Sequence, residues 1–146
     1  MHRDLSEALF REQTKFCGDA TLLKLRAWKV ITCAYPLLEV EFSSDGRVPV
    51  RVKMNCDNWD ESPPSVDLCD SNGTPLPKFP QGRGHSVFNN SPHSKTGRPF
   101  LCTPGVREYH QHSSHVNDSW ENYKTKSGFD LGGIITQTWN AWKASI

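Results

Sequence analysis

The chain has 146 residues, 36% apolar and 23% charged, and a formal net charge of +1. That length can bury one core without a disulfide or metal as scaffold, and the near-neutral charge offers no broad surface for a polyanion. Mean hydropathy is −0.62, and no apolar run nears the roughly 20 residues of a membrane span. One domain over residues 1–146 is expected.

The opening residues, Met1 to Glu7, are charged and lack the apolar stretch of a signal peptide. Cysteines at 17, 33, 56, 69 and 102 are odd in number and form no CxxC pair. Both features point to a reducing compartment, so a cytoplasmic location is expected.

Asp4 and Glu7 have the spacing of a capping box, with Asp4 as the cap. Leu5, Ala8 and Leu9 then share a helical face, and Gly18 offers a stop. Strand patterns follow. Trp28, Val30, Thr32 and Ala34 alternate, ending at Pro36, and Leu38, Val40 and Phe42 alternate with Glu39 and Glu41. Ser43 to Gly46 carries the Asp-Gly turn signal, after which Val48, Val50, Val52 and Met54 alternate past Pro49. A short strand around Val66 to Cys69 closes at Ser71-Asn72-Gly73. Four sequential strands with short turns predict an antiparallel meander.

Residues 71 to 107 contain no Asp or Glu but hold six of the ten prolines and five basic residues, Lys78, Arg83, Lys95, Arg98 and Arg107. No aromatic interleaving marks a base-stacking surface, so this stretch is read as a solvated loop, with no nucleic-acid partner. Leu131 to Trp142 is helical by pattern: Leu131, Ile134, Ile135, Thr138, Trp139 and Trp142 form one stripe, capped by Asp130 or Ser127.

Three of the six histidines fall within six residues. Cys102, Glu108, His110, His112, His115 and Asp118 supply one thiol, two carboxylates and three imidazoles in 17 residues, the ligand types zinc prefers. An extended segment would align Glu108, His110 and His112, whereas a helix would align Glu108, His112 and His115 and leave His110 aside. Cys102, Glu108, His110, His112 and His115 are therefore the candidate metal ligands, with Zn2+ the expected cofactor. The HExxH spacing of zincin hydrolases is absent. Asp118 could orient a ligand histidine or cap a helix starting near Ser119 and Trp120. Cys102 also reads as a nucleophile activated by nearby imidazoles, a role that competes with zinc ligation. The other four cysteines, Cys17, Cys33, Cys56 and Cys69, read as buried and inert.

This order of elements resembles the ubiquitin-conjugating (E2, UBC-like) fold. Trp59-Asp-Glu-Ser-Pro63-Pro64-Ser-Val66 is similar to that family's proline-rich flap, and Gly97-Arg-Pro-Phe-Leu-Cys102 to the segment bearing its thioester cysteine. No His-Pro-Asn triplet precedes Cys102; the nearest text is Asn89-Asn90-Ser91-Pro92-His93. The Cys102, Glu108 and histidine set resembles the predicted metal-binding family of bacteria named for its Cys, Glu, His and His residues. That resemblance implies a place in operons of ubiquitin-like proteins, E1-like and E2-like enzymes and deconjugating peptidases, in antiviral defence.

The expectation is an α+β, UBC/E2-like domain: N-terminal helix, four-stranded antiparallel meander, long loop with a metal site, C-terminal helix. Its implied role is non-catalytic binding or scaffolding of a ubiquitin-like protein and its E1- and E2-like enzymes. Two alternatives stay open: an E2-type transferase carrying the ubiquitin-like protein as a thioester on Cys102, and a zinc hydrolase with Glu108 as general base.

Overall fold

The structure is a computed structural model that describes residues 1–82 and 87–145; Arg83 of the basic stretch lies outside the described residues. Helix α1 covers Arg3–Gln13, two residues earlier than the capping signal implies. The cap is His2, whose Nδ1 accepts from the Asp4 amide at 3.1 Å. Asp4 instead sits in the first turn, where a carboxylate complements the helix dipole.

The buried face also differs from the expected one. Ser6 and Phe10 are buried while Leu5 is 53% exposed. Tertiary contacts select this face: the Tyr35 hydroxyl donates to Ser6 Oγ at 2.9 Å, and the Phe10 and Tyr35 rings meet edge to face. The Thr14 hydroxyl donates back to the Phe10 carbonyl, α1 stops, and a 3-10 turn covers Lys15–Gly18. A second helix, α2, runs over Ala20–Arg26 from an Asp19 cap. Its seven residues are too short for periodicity to reveal.

The meander is as expected. Strands β1 (Trp28–Ala34), β2 (Leu37–Phe42), β3 (Val50–Asn55) and β4 (Ser65–Cys69) pair antiparallel in the order β1-β2-β3-β4. Leu38, Val40, Phe42, Val50, Val52, Met54, Val66 and Leu68 form its buried face. Val48 falls outside β3 and is 78% exposed, because Pro49 cannot donate a ladder hydrogen bond and pairing starts at Val50. A bulge between Val30 and Thr32 breaks the β1 alternation. Beyond it Cys33, not Thr32, stands opposite core-facing Leu38, since one extra residue reverses the facing of all that follow.

The acid-free stretch is packed rather than solvated. Phe79, Phe88, His93, Phe100, Leu101 and Val106 are buried, and β5 (Phe88–Asn89) pairs antiparallel with β6 (Phe100–Leu101). Arg98 folds back onto β4, its Nη2 donating to Asp67 at 2.7 Å and its Nη1 to the Leu76 carbonyl at 2.7 Å. The sheet thus supplies the carboxylate this stretch lacks.

After helix α3 (Arg107–Gln111) and two 3-10 turns, α4 spans Leu131–Ala144, with Asp130 as its cap. Its stripe lies on the sheet: the ring centroids of Trp142 and Phe42 are 5.8 Å apart, and those of Trp139 and Trp28 are 5.6 Å apart. A Cβ at Gly133 would collide with the Gly128 backbone. No helix among the described residues is long and apolar enough to cross a membrane.

Phe42 joins sheet to helix, so Phe42→Ala should cost about 3–5 kcal/mol, as large-to-small aromatic core changes do. Urea unfolding checks this, and a loss below about 1 kcal/mol would contradict the packing described.

Candidate functional site

Cys102 follows β6 directly, its amide donating to the Val87 carbonyl at 2.6 Å. The chain then turns through Gly105, where φ is +94°. A side chain there would be strained, and its Cβ would press on the Phe129 ring at 3.1 Å. The Arg107 amide, at the start of α3, donates to the Pro64 carbonyl at 2.8 Å. Its guanidinium reaches the Pro63 carbonyl and Asp57. The proline-rich segment between β3 and β4 is thereby clamped against the site.

The chain adopts neither aligned geometry: α3 is helical over Arg107–Gln111, and His112 at its end is extended. His112 ends α3, a 3-10 turn covers Ser113–His115, and His115 comes back to Cys102 with Nε2 3.5 Å from Sγ. His112 lies beside it, with ring centroids 5.8 Å apart. The His112 Nδ1 accepts from the Ser114 amide, which turns Nε2 outward as the available atom. Cys102 and His115 are thus brought together, with His112 packed on Phe100 and against His115.

Glu108 and His110 are not. Glu108 is 6% exposed and turns into the protein, Oε1 accepting from the Val66 amide at 2.8 Å and Oε2 from the Ser65 hydroxyl at 2.7 Å. Both oxygens bind the edge of β4, so this carboxylate is neither a ligand nor a free base in this arrangement. His110 accepts from the Gly105 amide through Nε2 at 3.0 Å and donates through Nδ1 to the Asp118 carbonyl at 2.7 Å. Both ring nitrogens serve the backbone, and burial lowers its pKa, which keeps it neutral.

Asp118 has a third role beyond the two foreseen. Ser119, not Asp118, caps the 3-10 turn at Trp120–Asn122. The Asp118 carboxylate accepts from the Tyr109 hydroxyl at 2.5 Å and from the Tyr123 hydroxyl at 2.8 Å. Those bonds hold its pKa below the usual carboxylate value. The Tyr109 ring stacks on His115, with centroids 4.1 Å apart at 18°. Asp118 therefore steadies His115 through a tyrosine rather than by touching it.

His93 is the residue that sequence reasoning missed. It is 1% exposed; Nε2 donates to the Glu108 carbonyl at 2.8 Å, and Nδ1 accepts from the Lys95 amide. Its edge meets Phe100 and His112. With its nitrogens used, it is a strut beneath the site. The sequence signal is a histidine directly after Pro92 in a segment free of carboxylates.

Burial raises the Cys102 thiol above its ordinary pKa, which favours the protonated form. The thiol lines an open groove of about 680 Å³ with Lys78, Gln81, Asn89 and Asn90 among its walls.

Residues 85–142 match the Y4jH-like family. The Y4jH-like family is one of bacterial operon proteins. The matched segment begins in the long stretch, contains every candidate ligand and ends within α4. No curated protein matches the chain.

Among the described residues no group of three or more His, Cys, Asp or Glu side chains is already arranged around a metal position. A pair is. With Zn–S near 2.3 Å and Zn–N near 2.0–2.1 Å, adjacent ligands of a tetrahedral ion lie about 3.5 Å apart, which is the Cys102–His115 separation. A thiol and an imidazole at that separation are donor types that fit zinc, and His112 lies against His115.

Burial pushes the Glu108 carboxyl up, against the opposing bonds from Val66 and Ser65. An acid with a raised folded pKa adds stability that is complete below its unfolded value of about 4.3 and is lost as pH rises through the folded value. Urea midpoints measured from pH 4 upward should fall by this increment in the native protein and not in Glu108→Gln. Superimposable pH profiles would contradict it.

Proposed function

We propose that this chain is a zinc-binding, E2-like component of a bacterial conjugation system for a ubiquitin-like protein, serving to bind or scaffold that protein and its E1- and E2-like enzymes. One observation carries the metal reading: Cys102 Sγ and His115 Nε2 stand 3.5 Å apart, with His112 beside them. The helix, meander, proline-rich flap and cysteine after a short hairpin are in the order of the E2 fold, and the Y4jH-like match lies over the cysteine and histidines.

Cys102, His115 and His112 would hold the ion, which would fix the loop between β6 and the end of α3. Zinc takes thiolate as a ligand and favours its deprotonation, offsetting the burial that otherwise keeps Cys102 protonated. Tyr109 and Asp118 keep His115 facing the sulfur. Glu108 and His93 hold α3 on the sheet beneath it.

A second reading is supported by the groove at Cys102. There the thiol would accept a ubiquitin-like protein as a thioester from an E1-like enzyme, and the groove would receive its extended tail. A sulfur bound to zinc is a poor free nucleophile, so the two readings exclude each other at Cys102.

Protein purified without chelators or metal-affinity steps should carry about one zinc per chain. Cys102→Ser and His115→Ala should each lower that content severalfold, while His110→Ala, whose nitrogens both serve the backbone, should retain it. A folded wild-type protein free of metal would overturn the zinc reading. Incubation with the cognate E1-like enzyme, ATP and ubiquitin-like protein tests the alternative. A reductant-sensitive adduct lost in Cys102→Ser would establish the transferase instead.

A further inference from the structure

Of the four remaining cysteines, Cys56 and Cys69 are buried as expected, whereas Cys17 is half-buried and Cys33 is exposed. The unmet chemistry lies elsewhere, at a buried indole. Trp28, the first residue of β1, is 5% exposed, and its Nε1 has no acceptor among the described residues. We propose that the cleft Trp28 lines, between the end of α1, α2 and the start of α4, binds a small aromatic carboxylate.

The cleft holds about 490 Å³, within the size range of small-molecule sites, and shares no wall residue with the groove at Cys102. Its apolar walls are the rings of Phe16 and Trp28 and the side chain of Leu22. The two rings meet edge to face with centroids 6.1 Å apart, a corner in which an aromatic ligand can stack on one ring and meet the edge of the other. A buried indole N–H usually has a partner, and here a cavity lies against the residue that lacks one. Trp59 Nε1 also has no acceptor, but Trp59 does not line this cleft.

The charges of the cleft select an anion. Glu12 pairs with Lys15 at 2.8 Å, and the Asp130 carboxylate accepts from the Gly133 amide at 2.7 Å. Arg26 is the exception, with no carboxylate partner among the described residues. Its Nη1 donates to the Thr136 hydroxyl at 2.9 Å, and its guanidinium lies 4.8 Å from the ring centroid of Trp28 and 5.2 Å from that of Trp139. Those contacts fix the guanidinium and leave Nε and Nη2 as donors. Thr136 links it to the first turn of α4, donating to the Gly132 carbonyl at 2.7 Å. In that turn the Leu131 amide donates to Gln13 and the Gly133 amide to Asp130, while the Gly132 amide has no acceptor among the described residues. No side chain covers it: a Cβ there would meet the Phe16 ring at 3.5 Å, across the cleft.

The ligand class follows from these groups. A ring fills the corner between Phe16 and Trp28, and a planar carboxylate meets the guanidinium fork and the Gly132 amide. Trp28 Nε1 is a further donor to an acceptor on the ligand. A doubly charged phosphate would also face the carboxylates of Glu12 and Asp130. An uncharged aromatic would leave Arg26 unanswered. A single negative charge on a flat apolar body is what the cleft lacks.

The test is a nuclear magnetic resonance titration of the full chain labelled with nitrogen-15. The five tryptophans give five indole signals, and that of Trp28 is assigned through its neighbours Ala27 and Lys29. Naphthoate should move the Trp28 signal with a Kd on the order of 1 mM or tighter. Naphthalenemethanol, of similar shape but uncharged, should bind about tenfold more weakly. Gly132→Leu, whose side chain enters the cleft, should abolish the shift, and Arg26→Gln should weaken binding by about tenfold. An unmoved Trp28 signal, equal binding of the alcohol, or wild-type binding in Gly132→Leu or Arg26→Gln would each overturn the proposal. If a variant does not fold, the two probes compared on the wild-type chain decide.

Discussion

The Glu108 carboxylate on the edge of β4 is the contact on which the site depends. One short helix carries a single acid into the interior, where it meets the Val66 amide and the Ser65 hydroxyl. The same residue's carbonyl accepts from buried His93. An unpaired buried carboxylate would be costly, and its two partners, both on β4, satisfy it only in this arrangement. The bonds therefore specify position as much as they stabilise. They set α3 on the sheet, and α3 sets where its last residue and the following turn deliver His112 and His115.

A second constraint is charge supply. Between Asp70 and Glu108 the chain has no carboxylate, yet it must fold across the end of a sheet. Asp67 of β4 answers Arg98, and Asp57 before the flap answers Arg107. Both basic residues also bind backbone carbonyls, at Leu76 and Pro63. The prolines that rule out regular structure leave those carbonyls free to accept. The stretch is consequently ordered by guanidinium bonds and buried aromatic rings, with almost no ladder of its own.

The site itself divides its histidines by task. His93 and His110 spend their nitrogens on backbone groups and hold the frame, whereas His115 keeps Nε2 toward Cys102. Tyr109 links the two sets, stacking on His115 while its hydroxyl is held by Asp118. The Cys102 thiol and the His115 imidazole are held on this frame by the protein's own contacts.

The sequence by itself determined the meander, the packed stripe of α4 with its Asp130 cap, and the concentration of thiol and imidazole chemistry between residues 102 and 115. These are local properties: period-two and period-3.6 patterns and the crowding of residue types do not need the rest of the chain. Only the tertiary structure decided which side chains meet. Sequence spacing could not tell that Glu108 faces inward, because its partners lie 42 and 43 residues earlier on β4. Nor could it separate His110 from its neighbours, since Gly105 and Asp118 claim it through backbone atoms that every residue possesses. The same holds for the buried face of α1, chosen by Tyr35, and for Cys33, turned inward by a bulge that alternation alone does not reveal. Which residue types are present is written along the chain, but which of them are already satisfied depends on partners brought together by the fold.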